Sequence, residues 1–292
     1  MLENEIKQAL TRYDFLVELL YHINHKTDDA LKNDNRWFAF APKIGIKFLN
    51  QAFTLKILFA EKQLELPDKT IQSFEDLSAI YSTVRMQFET YALFYHLFLP
   101  CNNMEENILR FRLWELDGLR NRIKLNTNKT PSLSAKTLED QNYQQVVEQT
   151  ITNLPYFSNL DNKTRQFLLD KAAWRFTTAS LQEKPLRQVS YDQLIKQTGI
   201  SEQMFTDLYA YLSMHTHPSY VGVVQSFSST TDETTIGRYV AIMNASFVTA
   251  FMIEDLAKRF VQGKEHLDSL TPFDMSVYTS VRDGGRKTTT KI

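Results

Sequence analysis

The sequence predicts an all-α helical bundle, and three observations carry that expectation. Glycine and proline are scarce, with 8 of each in 292 residues, where average usage would give about 20 glycines. Long runs rich in Phe, Tyr, Leu, Ala, Lys, Glu and Gln continue unbroken, with apolar residues at helical spacing. Ser, Asn and Asp stand at the head of several of these runs, where side-chain oxygens cap a first turn.

In chain order, Leu10, Phe15, Leu19, Leu20 and Ile23 predict a first helix over 3–24. A polar connection follows and ends at Pro42, a favourable first-turn residue, so a second helix runs over 43–63 until "ELPDKT" breaks it. Ser73 is read as the cap of a third helix, "FEDLSAIYSTVRMQFETYALFYHLFL", which stops at Pro100. Asn102 or Asn103 caps a fourth, "MEENILRFRLWELDGLRNRIKLN". The segment 127–136, "TNKTPSLSAK", reads as an exposed loop before a rather polar helix that ends ahead of Pro155. Asp161 caps a short helix, Ser190 and Ser201 cap two more around Gly199, and a last long helix covers 235–262. Residues 1–270 thus read as one α-helical domain, with the N-terminal helices of 1–70 packed on a core of 73–262. The stretch 271–292, ending "DGGRKTTTKI", reads as a partly flexible tail.

The 33 basic and 34 acidic side chains give a net charge of −1, so no global positive field draws the chain to nucleic acid. One cysteine, Cys101, excludes an internal disulfide framework and a thiolate zinc cluster, and a cytoplasmic protein is expected. The two most apolar runs, 91–100 and 239–253, fall short of the roughly 20 residues of a bilayer span, so no membrane role is expected.

Chemistry-bearing motifs are few. Walker, G-x-G-x-x-G and G-x-S-x-G patterns are missing, and no cofactor is implied. His215 and His217, in "LYAYLSMHTHPSY", lie two apart and point to different sides of a helix, whereas a helical zinc pair needs i, i+4. Pro218 disfavours helical backbone at His217 and places a helix end near Met214 or His215. In the third helix Arg85 and Glu89 are spaced for an ion pair among Val84, Phe88, Tyr91, Phe94 and Tyr95. In the fourth, Arg110, Arg112, Arg120 and Arg122 are balanced by Glu115 and Asp117. The rhythm at 190–214 is that of a helix-turn-helix, but its second helix is acidic and aromatic, which disfavours DNA.

Three of these pieces together look familiar. "IYSTVRMQFETYALFYHLF", "ILRFRLWELDGLRNR" and "YAYLSMHTHPSY" resemble the R-x-x-x-E, arginine-rich and Y-x-x-L-S-x-x-x-H segments of a large uncharacterised bacterial helical family, itself similar to the HEPN-like bundles. The resemblance spans about 75–260 and places His217 at the family's histidine. It implies a bundle, often dimeric, in a defence or toxin–antitoxin setting. The ribonuclease signature of HEPN proteins is an arginine with a histidine four to six residues on. No arginine here has one: Arg85 precedes His96 by eleven residues and Arg12 precedes His22 by ten.

The resulting expectation is a defence- or stress-type helical protein that works by binding a partner, either a second copy or another protein. Arg85, Glu89, Tyr91, Arg112, Tyr211 and His217 would then brace the helices. The alternative is a metal-independent ribonuclease acting on RNA. In it, His217 moves the proton, Arg85 or Arg112 stabilises phosphate charge and Glu89 orients the arginine.

Overall fold

In the computed structural model the described residues are 2–34, 36–60, 62–65, 67–74, 76–99, 103–125, 131–183, 185–216, 219–220, 222–224 and 231–286. They are overwhelmingly helical, as the sequence predicts, with one short β-hairpin. Packing divides the chain into two compact units, Met1–Tyr95 with Ile195–Ile292, and His96–Leu194.

The first unit is built on α1 (Leu2–Leu31) and α10 (Thr231–Arg259). Along α1 the buried residues Ile6, Ala9, Tyr13, Leu16, Leu20, Ile23 and Thr27 alternate at three- and four-residue steps, which makes one continuous apolar seam. The opposing stretch of α10 supplies small residues, Ala241, Ala245, Ser246, Thr249 and Ala250, so the backbones can approach closely. Helix α1 runs a full turn and more beyond the expected end at 24. Thr27, fully buried, donates to the Ile23 carbonyl at 2.8 Å, so the polar "KTDDAL" stays helical. Helix α10 is the one described helix long and apolar enough to cross a membrane, yet 72% of its most apolar stretch is buried inside the protein. That is the burial of a core helix.

After a 3-10 turn (Trp37–Phe40), α2 (Ala41–Phe59) starts with Pro42 in its first turn. It packs on α1 at Gly45, where an added Cβ would lie 1.8 Å from the Asn24 amide oxygen. Asn24 in turn donates to the Pro42 carbonyl at 3.1 Å. The next element differs from the expectation. The segment "ELPDKT" is the bend of an antiparallel hairpin, β1 (Lys62–Glu65) with β2 (Ile71–Phe74), in which Glu65 pairs with Ile71. Asp68 accepts from the Thr70 amide at 3.0 Å, and Lys69 takes a positive φ of 66° to close the turn. Ser73 is therefore a strand residue. The cap of α3 (Leu77–Phe98) is Asp76, whose carboxylate accepts from the Ala79 amide at 2.9 Å.

The second unit centres on α4 (Met104–Leu125), packed against α5 (Pro131–Thr152), the single turn α6 (Pro155–Ser158) and α7 (Asn162–Lys171). Asn103 is the cap of α4, accepting from the Glu105 amide at 2.9 Å, while Asn102 lies outside the described residues. The expected loop over 127–136 is helical from Pro131, because a proline in the first turn forfeits no intrahelical hydrogen bond. Residues 126–130 lie outside the described set. Asp161 caps α7 as expected, accepting from the Lys163 and Thr164 amides.

The second unit ends within α8 (Tyr191–Gln197), which carries a reciprocal cap. Ser190 Oγ accepts from the Gln193 amide at 3.1 Å, and the Gln193 side chain accepts from the Ser190 amide at 2.8 Å. Gly199, at φ 78°, turns the chain into α9 (Glu202–Thr216). Helix α10 breaks at Phe260, and α11 (Val261–Asp268) and α12 (Pro272–Gly285) follow. The stretch read as a tail thus contains a helix with Tyr278 and Val281 buried and with Thr271 as its cap.

Gly45→Ala should cost about 1–3 kcal/mol in urea unfolding, because its methyl group must displace a buried amide. Gly118→Ala, on α4 with nothing within 4 Å of the added Cβ, should instead gain about 0.5–1 kcal/mol by removing helix-interior glycine.

Candidate functional site

The arginine–glutamate pair expected on α3 is formed. Arg85 Nε donates to Glu89 Oε1 at 3.0 Å, and the Tyr209 hydroxyl of α9 donates to the same oxygen at 2.8 Å. The guanidinium carbon lies 5.3 Å from the centre of the Tyr209 ring. Burial, together with the Glu89 carboxylate, pushes the Tyr209 hydroxyl up to about 12, so it remains a donor. Further along α9, Tyr211 and His215 meet Tyr81 of α3, with ring centres 4.7–5.2 Å apart. Gly237 of α10 makes room there, since a Cβ would lie 2.3 Å from the Tyr81 hydroxyl. His215 is buried, and His217 lies outside the described residues.

Tyr91 does not join Arg85 and Glu89. Fully buried, it donates to Asp255 Oδ2 of α10 at 2.6 Å. Asp255 is 2% exposed, and burial raises its pKa against the opposing pull of Tyr91, Arg286 and Lys258. Arg286, just past α12, lies 3.8 Å from the other Asp255 oxygen and donates to Glu254 at 2.5 and 3.1 Å. It also donates to the Thr198 carbonyl and stacks 4.2 Å over the Phe251 ring. Burial opposes the charge on Glu254, but hydrogen bonds from Arg286 and Lys258 hold its carboxyl below the usual value. Sequence reasoning missed this cluster. Its one signal was the acid pair Glu254–Asp255 inside the apolar run "FMIEDLA", which demands a cation from elsewhere.

In the second unit Arg112 pairs with Glu115 at 2.7 Å, and the Tyr143 hydroxyl donates to the other Glu115 oxygen at 2.6 Å. Arg120 donates to the Leu169 and Asp170 carbonyls at the end of α7 and to Glu148, and Arg122 forks onto the buried Asp140. The arginines of α4 therefore brace α5 and α7. Deeper in, Arg110 pairs with Glu106, which also accepts from Thr178 at 3.2 Å. His96, 4% exposed, makes a 3.1 Å hydrogen bond from Nε2 to the Trp174 carbonyl. A carbonyl only accepts, so Nε2 carries the proton. Desolvation, then the Arg110 charge, push the His96 pKa down to about 3, and the ring is neutral at physiological pH.

Among the described residues no group of three or more His, Cys, Asp or Glu side chains is arranged to hold a metal ion. A hollow among Phe88, Ile200, Phe205, Phe247 and Phe251 has a volume of about 10 Å³, scarcely room for one water. In these clusters the charged side chains are met by partners inside the protein. No family model, curated protein or solved structure matches this chain.

A histidine whose folded pKa lies below its unfolded value costs stability only when the unfolded chain is protonated. Above about pH 6.5 His96 contributes no pH dependence, and from there down to about 3 it should remove about 1.4 kcal/mol per pH unit. His96→Gln keeps a donor toward Trp174. It should flatten the acid limb by that slope in urea titrations followed through the fluorescence of the three tryptophans, Trp37, Trp114 and Trp174.

Proposed function

We propose that this chain is a binding protein, of the defence or stress type its resemblance implies, that acts by holding a protein partner. The observation that carries the reading is the outward face of α2. Ile46, Phe53 and Ile57 are 44%, 41% and 64% exposed there, within about 40° of one another around the helix. Aligned exposed apolar side chains are what a soluble chain keeps for an interface. The exposed Leu133, Leu138, Tyr143 and Val146 of α5, by contrast, are spread around their helix and form no stripe.

The nuclease alternative rests on Arg85 and Arg112, engaged by Glu89 and Glu115, and on His217, which lies outside the described residues. Nothing in their geometry favours it.

A photo-reactive residue introduced at Phe53 should yield a discrete protein adduct in cells, and the same residue at Leu138 should yield none. Adducts at neither position, or metal-independent RNA cleavage that disappears in Arg85→Gln, would overturn the reading.

A further inference from the structure

The exposed face of α2 has the pattern of one strand of a two-stranded coiled coil. In heptad terms Lys43 is an a position, Ile46 d, Asn50 a, Phe53 d and Ile57 a, a spacing of three, four, three and four. The b, c and f positions, normally turned to water, are Ile44, Gly45, Phe48, Gln51, Ala52 and Leu55, and all are buried in the protein. The helix is thus apolar on two opposite sides for two different reasons: one side faces the core of its unit and the other faces outward. A seam this narrow suits a single helix. An interfacial membrane helix carries a wider apolar sector.

Charge narrows the occupant further. Helix α2 contains three lysines and no acidic residue. Lys47 and Lys56 fall at the e and g positions beside the seam, and Lys43 opens it. Lys56 already reaches Asp14 at 2.8 Å, and Lys43 rests 4.4 Å from the centre of the Phe40 ring. Two copies of α2 would bring together two seams edged by Lys43, Lys47 and Lys56, with no acid in either helix. Asn50 gives the seam a polar a position, the device that fixes register in helix pairs.

We infer that α2 docks a single acidic amphipathic helix from another protein, with apolar residues at its own a and d positions and Glu or Asp at its flanks. This deepens the partner-binding reading above and rests on it, naming the chemistry of the partner. Three or more residues of the seam bury apolar area against the partner helix, and the flanking carboxylates select it over basic helices.

The test uses the full chain and fluorescently labelled three-heptad peptides with Ile and Leu at a and d, one Asn at a, and either Glu or Lys at every e and g. The Glu peptide should bind at least about tenfold more tightly than the Lys peptide, and the preference should weaken with salt. Ile57→Ser should weaken binding of the Glu peptide about tenfold or more without shifting the urea midpoint, because the side chain is already exposed. The double variant Lys43→Glu/Lys47→Glu keeps the apolar stripe and should invert the preference in favour of the Lys peptide.

Equal binding of both peptides, or of neither, overturns the inference. So does binding to phosphatidylglycerol vesicles in place of the peptide, and so does a dimer in sedimentation that Phe53→Ser dissociates. In each of these cases adducts at Phe53 but not Leu138 would leave the partner-binding reading standing, so the two failures are told apart.

Discussion

One buried carboxylate organises much of the first unit. Asp255 sits near the C-terminal end of α10 at 2% exposure, and a charge there survives only with donors and a counter-charge in place. Tyr91 brings a hydroxyl from α3, Lys258 reaches back along α10, and Arg286 arrives from the end of α12. Because Arg286 also holds Glu254 and the Thr198 carbonyl, α3, α10, α12 and the turn between α8 and α9 are set by a single electrostatic requirement. The backbone follows suit. The Gly285 carbonyl accepts from the Ser201 amide at 3.1 Å, and Gly285 has no room for a Cβ, which would lie 2.6 Å from the Phe251 ring. Stability is a weak reason to keep such an arrangement, since a well-packed apolar replacement would serve. It specifies which ends of which helices meet.

The second unit meets the same cost differently. Glu106 and Arg110 are buried as a pair one helical turn apart, so their charges cancel within α4. His96 is kept neutral instead, by burial and by the nearby Arg110 and Arg175 charges, and its Nε2–H is used against the Trp174 carbonyl. Both solutions leave the polar groups facing inward with partners. Such clusters hold helices in register.

Much of this was legible in the sequence where the signal is local. Helix identity follows from apolar spacing, and Asp161, Ser190, Asn103 and Gly199 mark element ends through side-chain oxygens or a positive φ. The Arg85–Glu89 pair was visible because its partners are four residues apart on one helix. The reading went astray where two local rules compete. "ELPDKT" breaks a helix equally well as a coil or as a hairpin bend, and only pairing between Lys62–Glu65 and Ile71–Phe74 decides. Pro131 interrupts a helix interior but opens a helix start. The partners of Tyr91 and Glu89 lie 164 and 120 residues away, and no spacing rule reaches that far.

The outward seam of α2 was hidden for a related reason. With Ile44, Phe48 and Leu55 on one side and Ile46, Phe53 and Ile57 on the other, the helix reads in sequence as apolar nearly all round, which is the mark of a buried helix. Its lysines point the other way, for a helix buried on every side would have to desolvate Lys43, Lys47 and Lys56 without one acid of its own. Only the packing separates the two apolar faces, assigning b, c and f to the core and leaving a and d outside. An exposed stripe of this kind is a liability in a free chain, because it invites aggregation. Asn50 in its middle and lysines along its edges limit that liability.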